Sequence, residues 1–422
     1  MLKNHDTLSL ASVAKIHQFA KQGGIIIGEP IQHLAGRNNT PEQQQKFEQM
    51  VKAIWAQPTT HKNVKTVKQW QALYDQHGFN FDLRIKNTKD LFYTHRQTAN
   101  QDIYFVYNDS GERKLFDASF EVTGKVPELW DANTGKIKKI AAFNSDQGLT
   151  HVAFRLEPNE SVFIVFNDSA KGKPVLSPQL VRDNDVQAVY DEQFAIKFVA
   201  NANQNLAIEL NGKRQQMDLM GIPAEQTLEG SWQVSFKEEY GLDQTFTFDE
   251  LSNWKDSPNP EIRAYSGIAT YTKNFTVSAD LLARNQEVTL DLGKVSDSAQ
   301  VFINGQEVGT TWLAPFALNV SPYLQAGENV LTVKVANSWS NRLITDEDLI
   351  DSSNYWQENG KHVPIMPDWY TNNQPLPNFG KKGHRRTFTT FKFVKSGDPL
   401  VDSGLLGPVR LVTNKSFKLA NH

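Results

Sequence analysis

Two neighbouring stretches decide the fold: EIRAYSGIATYTKNF (261–275) and EVTLDLGKVSDSAQVFINGQEVGTTWLAPFALNVSPYLQAGENVLTVKVANSWSNRL (287–343). Val288, Leu290 and Leu292 alternate with Thr289 and Asp291, the period-two pattern of a half-buried strand. Val301 and Ile303 run into Asn304-Gly305, a dipeptide that tolerates the positive φ of a tight hairpin turn, and Val308 opens the return strand. Gly327-Glu328-Asn329 turns into Leu331, Val333 and Val335, again alternating. Pro315 and Pro322 fall between strands, where a missing N–H costs no ladder bond. This pattern predicts an antiparallel β-sandwich.

The wording of this region resembles the jelly-roll sugar-binding domain of large glycoside hydrolases, including the β-galactosidase and β-glucuronidase families. A closer resemblance, to the α-L-rhamnosidases of glycoside hydrolase family 106, rests on several separated phrases in the right order. They are LSLASVAKIHQFAKQGGIIIG (8–28), the HRQTANQDIYFV element (95–106), the NSWSNRL phrase (337–343), RRTFTTFKF (385–393) and DSGLLGPVRLV (402–412). The resemblance implies an inverting hydrolase with two glutamates on a (β/α)8 barrel and calcium near the substrate. It places the barrel upstream of the region covered here, so this chain reads as a C-terminal portion without its catalytic pair.

Composition agrees with a β-rich globular chain. The 422 residues suit two or three domains, 39% are hydrophobic and 22% charged, so a packed core is available. A net charge of −3 gives no drive toward nucleic acid. The one basic cluster, 381–386, reads as a solvated loop. There is no cysteine, which excludes disulfides and thiolate metal sites. MLKNHDTLSL lacks the basic and apolar regions of a signal peptide, and no apolar run reaches membrane-spanning length. If the family resemblance holds, the full-length relative is periplasmic or extracellular.

Along the chain, residues 1–85 read as an α/β segment, the remnant of a domain following the barrel. Thr7 or Ser9 caps a helix with Leu10, Val13, Ile16 and Phe19 on one face. Gly23-Gly24 ends it, Ile25 to Gly28 forms a short buried parallel strand, and a second helix runs from Pro41 to Trp55 behind an Asn39-Thr40 cap. Residues 70–81 read as a further helix and turn. A first β-sandwich spans 86–170, with Ile103, Phe105 and Tyr107 sharing one strand face. The stretch 171–177 (KGKPVLS) reads as a linker, and a jelly-roll sandwich follows over 180–415 with a long loop at 346–382. The fold class expected is therefore mainly β: two sandwiches preceded by a short α/β segment.

Catalytic residues cannot be named from this sequence. A glycosidase needs two carboxylates about 5–9.5 Å apart across the scissile bond, and no pair is evident. Glu29 follows a strand but reads as a plain loop carboxylate. Sugar-contact candidates are aromatic platforms beside hydrogen-bonding side chains: Trp312, Trp339, Arg342, Trp356, Trp369 and Tyr370. His95 and Arg96 are a second candidate; in the structural alternative Arg96 pairs with Asp102. The aromatics of 346–382 could equally pack the loop or dock the missing barrel. Asp346, Glu347, Asp348 and Asp351 lack the spacing of a defined calcium loop, and no cofactor is identified within the chain. There is no P-loop, GxSxG elbow or HExxH motif.

Three functions remain in view. The first is the accessory, sugar-binding or domain-docking part of a rhamnosidase, whose partners are a rhamnose-containing glycan and the barrel. The second is the corresponding part of a β-galactosidase or β-glucuronidase-like enzyme. The third is a free-standing carbohydrate-binding or adhesin protein.

Overall fold

The computed structural model describes residues 6–55, 64–66, 68–69, 82–85, 90–210, 213–237, 241–349, 368–378, 381, 383–387 and 394–419. It divides into two compact units, residues 1–81 and 82–422.

In the first unit the helix signals act as read. Ser9 caps Leu10–Lys21 by accepting the Ser12 N–H at 3.2 Å. Pro41–Trp55 begins with a reciprocal capping box: Gln43 N–H donates to Thr40 Oγ1, and Thr40 N–H donates to Gln43 Oε1. Ile26–Ile27 is a parallel strand, pairing with Val64–Lys65, and a second parallel pair joins Thr7–Leu8 to His33–Leu34. Val13, Ala20, Ile26, Ile31, Phe47 and Ile54 form a small core of their own. Residues 70–81, expected to be helical, lie outside the described residues.

The second unit is built of antiparallel sheets around two cores. In the first, a five-stranded sheet (Leu91–Gln97, Asp102–Asn108, Ser161–Ser169, Lys125–Trp130, Ile137–Lys139) faces a four-stranded one (Leu83–Ile85, Lys114–Phe120, Leu149–Leu156, Phe143–Asp146). The alternation in 102–108 is as read, but the core takes Tyr104 and Val106. Ile103, Phe105 and Tyr107 are half-buried on the opposite face, where Phe105 packs on Phe163 at 5.2 Å.

The second core lies in the region expected to be a jelly roll and is sandwich-like. Its six-stranded sheet runs Asp243–Phe248, Trp232–Lys237, Ile268–Val277, Gly327–Ala336, Ser298–Ile303, Gln306–Thr311 in spatial order. Trp232, Phe236, Tyr271, Leu290, Val301 and Val333 are buried between it and the facing strands. Each such side chain contributes roughly 1.5–3 kcal/mol of burial free energy. Asn304 and Gly305 take φ of 52° and 78° in the hairpin, as the dipeptide predicts.

The boundary between the sandwiches differs from the reading. Leu176, within the expected linker, is buried in the first core, as are Val186, Phe198, Leu206 and Ile222. Residues 186–222 therefore bury apolar side chains in the first core, while Gln187–Tyr190 and Ile196–Ala200 belong to the sheet that also holds Gln286–Asp291 of the second. The final strand, Arg410–Lys418, pairs with Ile196–Ala200 on one side and Gln286–Asp291 on the other, joining both cores through one sheet.

Two phrases of the resemblance meet as a single joint. Asn341 exchanges hydrogen bonds with the Val401 backbone at 2.9 and 2.8 Å, and Asn337 bridges Gly267 and Tyr265. The Ser403 N–H donates to Asn253 Oδ1, and the Leu405 N–H to Tyr271 Oη. The NSWSNRL and DSGLLG segments thus hold the chain in place as it enters its last strands.

Gly293 shows how tightly that joint closes. It has φ +64°, and a Cβ there would sit 2.4 Å from the Gly407 carbonyl carbon. Gly293→Ala is expected to cost about 1–3 kcal/mol by denaturant titration. Gly305→Ala, at a positive φ of +78° in open space, is expected to lose only the conformational part, about 1 kcal/mol. Equal losses in the two variants would contradict the close-approach argument.

Candidate functional site

A pocket of about 600 Å3 opens at the rim of the second sandwich, lined among others by Asp243, Glu261, Arg342, Thr345, His384 and Arg386. Three elements bring these residues together. Arg342 and Thr345 lie on the short helix Ser340–Asp346, Glu261 on the helix Pro260–Arg263, and His384 and Arg386 on the segment returning after the long loop. Asn259 starts the second helix by accepting the Glu261 N–H at 2.9 Å.

A buried charge cluster lies next in sequence to the pocket residues Thr345, His384 and Arg386. Arg385 Nη1 donates to Glu347 Oε1 at 2.7 Å, and both side chains are only 1% exposed. Asp346 Oδ2 accepts the Arg386 N–H and the Thr387 hydroxyl, each at 2.8 Å. Burial pushes the Asp346 carboxyl up; these two donors, with Arg342 and Arg385 nearby, hold it down in opposition. The basic cluster read as a solvated loop is therefore corrected: Arg385 is a core residue paired with a carboxylate, and Arg386 donates to Glu261 at 3.3 Å. The neighbouring charges in sequence gave no sign of which Arg turns inward.

Chemically, the pocket offers guanidinium forks beside carboxylates, an arrangement that can donate to and accept from hydroxyl groups. Asp346 is committed to backbone and hydroxyl donors and Glu347 to Arg385, while Asp351 lies outside the described residues. Among the described residues no group of three or more His, Cys, Asp or Glu could hold a metal ion.

Trp312 and Trp339 are 65% and 59% exposed. They leave the same end of the six-stranded sheet: Thr311 and Val335 are both partners of Ala299, on either side of one strand. At the ~4.8 Å strand spacing, their chain exits are about 10 Å apart. Trp339 also stands at the N-cap of the helix that carries Arg342. Trp369 and Tyr370, on the short helix Asp368–Thr371, meet edge to face at 5.9 Å, and Tyr370 is exposed. Trp356 lies outside the described residues.

His95 and Arg96 are elsewhere, on the strand Leu91–Gln97 of the first sandwich. His95 Nδ1 lies 2.7 Å from Asp82 Oδ2, Nε2 lies 3.6 Å from Asp102, and the ring stacks on Tyr104 at 4.0 Å. This fixes the imidazole as a strap between strands. The expected Arg96–Asp102 pair is replaced: Asp102 is bonded by Gln97 and Lys125, and Arg96 donates to the His95 carbonyl. Glu29 is exposed just after Ile26–Ile27. A Ser119–His151–Asp146 chain of hydrogen bonds, 2.7 and 2.6 Å, lies across a sheet. Ser119 and His151 sit opposite each other between paired strands, where backbone amides serve the ladder and not an oxyanion.

Comparison with known proteins places these features. Residues 1–145 match the sequence model of the glycoside hydrolase 106 family, alpha-L-rhamnosidase, and residues 255–364 match that of the family 2 glycosyl hydrolase sugar-binding domain. A rhamnosidase structure from Novosphingobium sp. PP1Y superposes with a TM-score of 0.59 at 26% identity, covering 97% of this chain and 32% of that one. A protein of Formosa agariphila named "Putative beta-glucuronidase" is 40% identical over 203 residues, 48% of this chain and 17% of its own length. One chain thus carries rhamnosidase-family sequence in its first third and a hydrolase sugar-binding domain beyond residue 255. It spans a third or less of the length of either relative.

Removing one partner of the buried pair should be costly. Arg385→Met leaves Glu347 without its cation, and a loss of about 3–5 kcal/mol is expected in chemical denaturation. Arg385→Met with Glu347→Gln should recover much of it. Additive losses in the double variant would show that the two side chains are not coupled.

Proposed function

We propose that this chain is the accessory β-rich portion of a glycoside hydrolase acting on α-linked L-rhamnose in a plant polysaccharide or glycoside. In this reading it binds glycan at the rim of its jelly-roll region and seats against a catalytic barrel. The observation that carries it is a rhamnosidase fold matched over 97% of the chain, with family 106 sequence at 1–145. The bond-breaking carboxylates then belong to the barrel.

The proposed glycan surface combines exposed indoles with forked donors. A sugar ring presents apolar C–H faces edged by hydroxyls, so Trp312 and Trp339 supply platforms while Arg342, Arg386 and Glu261 take hydroxyls. Trp369 and Tyr370 extend the aromatic set. His95 and Arg96 are too committed within their own sheet to be first choices for glycan contact. No helix among the described residues is long and apolar enough to cross a membrane. A periplasmic or extracellular setting, where such glycans are met, follows from this reading.

A second reading has one observation in its favour, the 40% identity to the Formosa agariphila protein. There the same accessory portion would serve a hydrolase of glucuronides. Substrate tests separate the two.

The purified chain is expected to leave chromogenic α-L-rhamnosides and β-D-glucuronides intact while binding a rhamnose-containing glycan. Trp312→Ala combined with Trp339→Ala should weaken that binding at least about tenfold without altering the unfolding midpoint, since both rings are exposed. Turnover that persists through stringent purification would overturn the accessory role. Selective binding of a glucuronide polymer would favour the second reading.

A further inference from the structure

A second cavity, of about 210 Å3, lies at the junction of the two sandwiches and belongs to none of the sites above. Phe154, Ile140 and Val186 give it an apolar wall, and Asn414 reaches it from the last strand. Its mouth is ringed by charges whose partners are all local. Arg113 holds Asp185 in a fork at 2.6 and 2.9 Å and turns Nε to Glu157 at 2.7 Å. Arg155 donates to the Val181 carbonyl at 2.7 Å and lies 3.8 Å from Asp185. Glu160 accepts the Glu157 N–H at 2.7 Å through one carboxyl oxygen, and Lys138 donates to Gln187 at 3.1 Å.

We propose that this cavity binds a neutral polyhydroxylated ring of monosaccharide size. Three features select that class. First, the guanidiniums Arg113 and Arg155 are already engaged by Asp185, Glu157 and the Val181 carbonyl, so an anion would have to break a pair to reach them. A hydroxyl can instead donate to a carboxylate and accept from an arginine while the pair survives. Second, an apolar wall opposite a polar rim suits a ring with one C–H face. Third, the volume admits one ring and not a chain, unlike the larger rim pocket.

Glu160 suits the role further. Burial pushes its carboxyl up to about 7, against the hydrogen bond from the Glu157 N–H and the charge of Lys138, which lower it, and with the charges of Glu157 and Asp131, which raise it. Near neutrality it is therefore present both as donor and as acceptor. A ligand here touches residues of the first core and the strand shared with the second, so its binding stabilises the junction by mass action. The proposal stands whether or not the rim binds glycan.

Titration calorimetry and thermal unfolding of the whole chain with L-rhamnose test it, with D-glucuronate as the anionic comparator. Saturable binding that raises the unfolding midpoint is expected. Glu160→Gln and, separately, Glu157→Gln should each weaken it about tenfold. The Trp312→Ala and Trp339→Ala double variant should leave it unchanged, which distinguishes this site from the rim. A crystal soaked in L-rhamnose should show density beside Phe154 even if a variant fails to fold. No saturable binding to the wild-type chain, affinity unaltered in both glutamine variants, tighter binding of glucuronate, or density confined to the rim would each overturn the proposal.

Discussion

The strand Arg410–Lys418 is the constraint on which the larger unit depends. Its register is set twice, against Ile196–Ala200 and against Gln286–Asp291, while Gln226–Thr227 pairs at its first residues. Because side chains alternate faces, a slip of one residue would turn Leu411 and Thr413 out of the core and expose them. The same slip would break pairing in both sandwiches at once. The Lys136–Glu287 bridge, at 2.9 Å, crosses the same junction but is exposed and adds little beside it. Backbone pairing therefore joins the two cores, and the surface charges follow it.

That constraint explains the cost accepted upstream of the strand. The chain enters it through Val401 to Leu405, where the side chains of Asn341, Asn253 and Tyr271 bond the backbone. Asp402, gripped by Lys255, Lys294 and Asn253, has its carboxyl held far below the ordinary range by those donors. The group is largely exposed, so this grip is worth less than its chemistry suggests. The buried Asn341 contacts matter more, because an unpaired amide in the interior loses its full hydration.

What could be read from sequence follows how local each signal is. The Asn304-Gly305 turn, the Thr40–Gln43 box and the alternation through Val288, Leu290 and Leu292 are short-range, and each appears in the structure at the residues that encode it. Residues 186–222 could not be assigned to one core from sequence, because strand alternation is the same whichever core receives it. Their burial in the first core and the pairing of Ile196–Ala200 with residues 410–418, about two hundred positions away, are both long-range. Arg385 was misread for a related reason. A cationic residue in a basic run is usually solvated, and burial depends on Glu347, thirty-eight residues away across the loop. Arg342 was legible as a site candidate through its neighbouring aromatics; Glu261, His384 and the junction residues Arg113, Glu157 and Glu160 carried no local signal.

The two polar regions of the larger unit differ in how their charges are settled, and this bears on what each can do. At the rim, the deepest pair, Arg385–Glu347, is sealed from solvent and serves the fold, leaving Arg386 and Glu261 as the outer, half-solvated pair. At the junction Arg113, Glu157 and Asp185 are themselves 41–45% exposed, and what the first core supplies is the apolar wall of Phe154, Ile140 and Val186. Exposed indoles beside a wet polar pocket suit an extended glycan held by many weak contacts. A small cavity with an apolar wall suits one ring. The contrast is one of shape: Trp312 and Trp339 stand exposed at the end of the six-stranded sheet, whereas the junction cavity is bounded by the first core's Phe154, Ile140 and Val186 and by Asn414 of the shared strand.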